Sequence, residues 1–150
     1  MRVFIENEAG SRHKHIWDER TLERLRSVEV SAAYPFPYGF VPGTLGDDGA
    51  AVDCFVLTQA PLRPGAMVDC EPVALLEQVE DGAIDHKVLA VPRGEAPLLD
   101  PAAVARVRAF IAAVFAHVPG KRMEPGRLRD RAAAEEHVQR CWDRDLGPNL

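Results

Sequence analysis

From Met1 to Pro92, apolar and polar positions alternate in short runs bounded by turn residues, which predicts strands. "RVFIE" (Arg2–Glu6) and "HKHIW" (His13–Trp17) are expected to pair across "NEAGSR", a hairpin-length loop containing Gly10. "ERTLERLRSVEV" (Glu19–Val30) fits either a helical turn or a strand. "YPFPYGFVPG" (Tyr34–Gly43) is rich in proline, which argues against a central strand or a helix and for an ordered aromatic loop. "VDCFVL" (Val52–Leu57), "GAMVDCEPVALLEQVE" (Gly65–Glu80) and "HKVLAVP" (His86–Pro92) read as further strands.

After "RGEAPLL" the period changes. Asp100 as N-cap and Pro101 at the first helical position open the alanine-rich run "DPAAVARVRAFIAAVFAHV". "PGKRMEPG" breaks it, and "RLRDRAAAEEHVQRCW" (Arg127–Trp142) is expected to form a second amphipathic helix. The fold class is therefore mainly β (α+β): a small OB-like β-barrel of about five strands, closed or partly open, with two C-terminal helices packed on it.

Composition narrows the functions. At 150 residues one domain is expected, with 47% hydrophobic and 27% charged residues. A net charge of −5 gives no footprint for nucleic acid, so any phosphate site must gather a few basic residues locally. Cys54, Cys70 and Cys141 are scattered, which favours reduced thiols and a cytoplasmic location. "MRVFIENEAG" carries acids where a signal peptide needs an apolar run, and no stretch approaches the roughly 20 apolar residues of a membrane span.

The chemistry concentrates in "GTLGDDGAAVDC" (Gly43–Cys54), where Asp48 and Asp53 flank a glycine turn. Alone, this pattern fits a solvated turn with an Asx cap as well as a metal site. His13 and His15 share a strand face and form an x-His-x-His pair, but no third zinc ligand lies near them in sequence. Asp85 and Lys87 share a strand face, which favours a common site.

The longer stretch "YPFPYGFVPGTLGDDGAAVDCFVL" resembles the central motif of the soluble (family I) inorganic pyrophosphatases. "VFIENEAGSRHK" is similar to that family's first strand pair, and "LRPGAMVDCEPVALLEQVEDGAIDHKVLAVP" to its closing strands. The resemblance implies a homo-oligomeric Mg²⁺-dependent hydrolase of pyrophosphate, with Mn²⁺ or another divalent ion as a substitute. It assigns Asp48, Asp53 and Asp85 to a metal cup, with Glu80 and Glu6 as further ligands and Asp81 as a rival to Glu80. It assigns Lys14, Arg26, Tyr38 and Lys87 to substrate binding, Tyr38 also to catalysis beside the three aspartates, and Tyr34 to the same wall.

Departures from that pattern are as informative. Ala50 stands where the family has an aspartate serving as general base, and Ala51 where it has proline. Ile16 replaces a glutamate, and Val118 and Pro119 replace a Tyr-Lys phosphate clasp, for which Lys121 or Arg122 is a candidate substitute. Three functions follow: a pyrophosphatase with impaired activity, a hydrolase re-specialised for an organic phosphate or other polar substrate, or a non-catalytic metal- or phosphate-binding subunit.

Overall fold

In the computed structural model, which describes residues 1–96, 99–121, 123–147 and 149, the strands are β1 (Arg2–Asn7), β2 (His13–Trp17), β3 (Arg24–Glu29), β4 (Tyr38–Val41), β5 (Val52–Val56), β6 (Met67–Glu80), β7 (Ala83–Ile84), β8 (Lys87–Pro92) and β9 (Met123–Arg129). The helices are α1 (Pro101–Ala113) and α2 (Arg131–Cys141), followed by a 3₁₀ turn at Arg144–Leu146. Strands β1, β4, β5, β8 and β6 pair in that order, and β6 returns to β1 through Arg2↔Asp69, Val3↔Val68 and Phe4↔Met67. This ring of five strands is the OB-like barrel expected from the sequence. Only β5 and β8 pair in parallel within it.

Two expectations are corrected and one open alternative is resolved. Tyr34–Gly43 is not all loop: β4 lies between β1 and β5 inside the ring. The prolines at 35, 37 and 42 all fall outside the four-residue strand, so none removes a ladder donor. The Pro37 carbonyl even accepts from the Val56 amide (2.8 Å). Within the open segment Glu19–Val30, Arg24–Glu29 forms β3, an exposed strand pairing with β2, and the residues before it form the connecting loop. "PGKRMEPG" does not merely separate helices, because β9 runs through Arg129 along the free side of β6. Helix α2 consequently starts at Arg131, with Asp130 accepting from the Ala133 amide.

Helix α1 starts where expected, capped by the Asp100 carboxylate on the Ala103 amide (2.7 Å). It buries Ala103, Val107, Phe110 and Ile111. Each large side chain buried this way contributes roughly 1.5–3 kcal/mol. Alternation along the strands makes two apolar faces. Tyr38, Phe55, Leu76, Leu89 and Val91 meet α1, whereas Val3, Ile5, Cys54, Val56, Val88 and Ala90 meet Ala134, Val138 and Cys141 of α2.

The α1-facing side carries polar groups at one end. Asp53 precedes Phe55 on β5, and Asp85 and Lys87 precede Leu89 at β8, each in step with the two-residue period. The site therefore begins where this face runs out of apolar residues.

Candidate active site

Parallel pairing puts Asp53 opposite Lys87 in the β5–β8 register. The Lys87 ammonium, almost fully buried, lies 2.5 Å from Asp53 Oδ2, 2.9 Å from Asp85 Oδ2 and 3.4 Å from the Tyr38 hydroxyl. Burial disfavours its charge, but Asp53 and Asp85 outweigh this and hold its pKa above the usual lysine value. Burial and Asp53 push the Asp85 carboxyl up to about 8 against the opposing pull of Lys87. Asp53 is also penalised by burial, yet Lys87 keeps it below the ordinary carboxylate range. The two acids thus share one buried ammonium, which holds Asp53 low while burial and Asp53 hold Asp85 high.

Two more acids complete this end. Glu80 pairs with Lys121 (2.5 Å) and shares a hydrogen bond with Asp85. Glu6, buried on β1, is pushed up to about 8 by burial and then by Asp53. Asp81 belongs to the Asp81-Gly82 turn between β6 and β7, where both residues have positive φ (51° and 86°). Glu80 is directed at Asp85. Asp48 is exposed on its turn, and its Oδ1 accepts from the Ala50 amide (3.1 Å), the Asx cap anticipated from sequence. Burial and then Asp53 raise its pKa against that amide bond, so it lies within electrostatic reach of the site.

The basic residues divide. Lys14 on β2 acts electrostatically on Glu6, Glu19 and Asp53, and its Nζ lies 5.4 Å from the Phe115 ring centre. Lys121 sits 4.7 Å from the same ring, so Phe115 gathers two ammonium groups at the edge of the cleft. Arg26 pairs with Ile16 on β3, on the hairpin face that carries Lys14, and is exposed. Arg122 lies outside the described residues. Tyr34 packs against Phe110 (4.5 Å) and Tyr38 (5.4 Å), so its ring belongs to the core. His15 turns to Ser27 and Glu8, and His13 to Glu29, on the outer hairpin.

Sequence reasoning missed Glu19. Its Oε1 accepts from the Ala51 amide (3.1 Å), and Asp53 and Asp48 both act on it. Burial is the first cause of its raised pKa. Nothing in the spacing of "DERTLERLRSVEV" singles it out, because the contact spans 32 residues of sequence.

Among the described residues no three His, Cys, Asp or Glu side chains stand in a group that holds an ion as they are. The donor chemistry nonetheless suits a hard divalent cation: every acid here offers only oxygen. The Glu6 and Asp85 carboxyls are pushed up to about 8, by burial first with the Asp53 charge adding to it, so the cleft is short of positive charge. A cation there relieves that deficit.

A family model for inorganic pyrophosphatase matches residues 3–145. The inorganic pyrophosphatase of Aeropyrum pernix is 32% identical over 164 residues, covering 98% of this chain and 90% of that relative. That of Methanosarcina mazei is 43% identical over 93 residues, 61% of this chain and 55% of the relative. The crystal structure of inorganic pyrophosphatase from Thermus thermophilus matches with a TM-score of 0.84 at 29% identity, covering 94% of this chain and 88% of that one.

Proposed function

Because the chain belongs to the inorganic pyrophosphatase family, we propose that it hydrolyses inorganic pyrophosphate to two phosphates with Mg²⁺, at a rate lowered by the alanine at position 50. The observation that carries this reading is the buried Asp53–Lys87–Asp85 group, with the Tyr38 hydroxyl beside it, at the open end of the α1-facing sheet.

Asp53, Asp85 and Asp48 would hold the divalent ion, with Glu80 and Glu6 as outer ligands; Mn²⁺ has the same preference for oxygen. The chemistry such an ion supplies is neutralisation of phosphate oxygens and acidification of water. The chain's own groups do the rest. Lys14 and Lys121, brought together on Phe115, bind phosphate oxygens, and Arg26 reaches them from the hairpin face it shares with Lys14. The Tyr38 hydroxyl, which accepts from Lys87, keeps its own O–H to direct at charge that builds up as the phosphoanhydride breaks, and the Lys87 ammonium behind it adds positive charge.

Re-specialisation is a second reading, favoured by Val118, which is exposed where the family pattern has its phosphate clasp. Phosphate release from pyrophosphate under Mg²⁺ titration, beside a panel of organic phosphates, separates the two. Fastest turnover of pyrophosphate supports the first reading. A preferred organic phosphate supports the second, and no turnover of either leaves a binding subunit. A single domain, a homo-oligomer and a cytoplasmic location complete the reading. The last is supported by three buried free thiols, Cys54, Cys70 and Cys141. Light scattering in solution tests the assembly.

A further inference from the structure

The connection between β2 and β3 is built to hold one side chain. Asp18 Oδ1 accepts from the Arg20 and Thr21 amides, both at 2.9 Å, and the Asp18 carbonyl accepts from Leu22 (2.8 Å). The Asp18 amide donates to the Glu23 carbonyl (2.9 Å), closing the loop. Leu22 adopts φ 60°, a left-handed conformation that a leucine rarely takes without compensation. The compensation is packing: Leu22 and Trp17 sit on the cluster of Phe4, Phe40 and Ala51.

Residue 51 is thus a contact for the loop and, through its amide, the donor to Glu19 Oε1 (3.1 Å). A proline there has no N–H and offers no such bond. The Glu19 carboxylate is therefore fixed against the peptide joining Ala50 to Ala51, where position 50 itself contributes only a methyl group. Glu19 is also within electrostatic reach of Asp48 and Asp53 and of Lys14.

We propose that Glu19 supplies the carboxylate that position 50 lacks, receiving the proton of the attacking water during pyrophosphate hydrolysis. As the water oxygen bonds to phosphorus, the bridging P–O bond breaks, and its electron pair leaves on the departing phosphate. One water proton passes to Glu19, which is open to solvent and returns it there. This inference rests on the pyrophosphatase reading given above.

Glu19→Gln tests it, because glutamine keeps an acceptor for the Ala51 amide while losing the basic oxygen. The expected result is a fall in kcat of about 10²- to 10⁴-fold with little change in KM. Mg²⁺ affinity, measured by calorimetry without substrate, is expected to match the parent. Adding Ala50→Asp to Glu19→Gln is expected to restore at least roughly tenfold in kcat. If glutamine lowers the melting temperature, Glu19→Asp gives the second reading: it keeps the charge, withdraws the oxygens by a methylene and is expected to lie between parent and Glu19→Gln. An unchanged kcat in Glu19→Gln overturns the inference alone. So does a kcat loss that saturating Mg²⁺ reverses, which makes Glu19 a cation ligand. A parent that releases no phosphate from pyrophosphate overturns both this inference and the pyrophosphatase reading.

Discussion

Asp53 and Lys87 face each other across the one parallel pair of the barrel, and their side chains meet at 2.5 Å. Backbone register sets this pairing, so the ammonium is placed before any ligand arrives. It is the buried counter-charge for two acids, Asp53 and Asp85. Removing one partner of such a group leaves an uncompensated buried charge, which costs about 3–5 kcal/mol. Lys87→Met is therefore expected to melt well below the parent in metal-free buffer. Millimolar Mg²⁺, binding the native state alone, is expected to recover more stability in the variant than in the parent. Thermal melts with and without Mg²⁺ check this. Equal Mg²⁺ effects in the two proteins mean that the ion does not bind at these carboxylates.

Lys121 is expected to serve pyrophosphate binding from a position that the family pattern does not use. It stands beside Phe115 and against Glu80. Lys121→Ala removes a charge-assisted contact to phosphate, which weakens binding about tenfold if the contact is worth about 1.4 kcal/mol. Steady-state kinetics are expected to show KM rising more than kcat falls. A KM equal to the parent's excludes Lys121 from the phosphate site.

Gly39 explains one letter of the "YPFPYGF" stretch in physical terms. A Cβ built there lies 1.7 Å from the Phe4 carbonyl oxygen, because β4 crosses β1 closely with Gly39 opposite Ile5. Gly39→Ala is expected to abolish folding or to cost more than about 4 kcal/mol. Gly49→Ala is the contrast: φ is +83° but a Cβ meets nothing within 4 Å, so only backbone strain of about 1 kcal/mol opposes it. Urea midpoints for both variants check the difference.

The barrel was legible because strand period, caps and turns are local signals. Asp100 capped α1 as its spacing indicated, and Val52, Cys54 and Val56 turned to one face as alternation requires. β4 is hidden because prolines dominate the stretch around it, whereas the strand fits between Pro37 and Pro42. β9 was hidden because "MEPGRLR" has weak alternation and forms by pairing with a strand more than forty residues earlier, as in Leu76↔Leu128. Asp85 and Lys87 are expected together from the strand period, whereas Asp53 is drawn to them only by the resemblance to the pyrophosphatase family. Glu19 and the Phe115 platform are not legible, since each arises from a loop meeting a distant element.

His137 makes stability depend on pH away from the active site. Its ring is buried, 5.2 Å from His86, and its Nδ1 faces the Arg140 guanidinium at 3.2 Å. Burial first, then His86 and Arg140, push its pKa down to about 4. The unfolded chain binds a proton near pH 6.5, whereas the native state resists it until about pH 4. The folded state's advantage is therefore complete above pH 6.5 and shrinks as pH falls toward 4. With allowance for solvent screening the loss is on the order of 2 kcal/mol. Urea denaturation at pH 7 and pH 4.5 is expected to show a smaller difference for His137→Leu than for the parent.

Ala50→Asp is expected to raise pyrophosphate hydrolysis, and the conditions under which it does so discriminate among the functional readings. The residue sits next to the Asx turn of Asp48 and is half-buried, so a carboxylate there enters the existing group of acids. A second proton acceptor beside Glu19 gives the attacking water a better-placed base, worth about tenfold or 1.4 kcal/mol of barrier. It also adds negative charge to a cleft that already forces Glu6 and Asp85 up to about 8. Without divalent ions the variant is therefore expected to be less stable than the parent, and its kinetic gain is expected only at saturating Mg²⁺. Phosphate release across a Mg²⁺ titration, with melting curves on the same samples, tests both halves. A re-specialised hydrolase is expected to lose its own reaction on this substitution, and a binding subunit to gain nothing. A folded variant no faster than the parent at saturating Mg²⁺ means that position 50 does not limit the rate: a parent that still turns over pyrophosphate then relies on Glu19 alone, and a parent that does not leaves the other two readings.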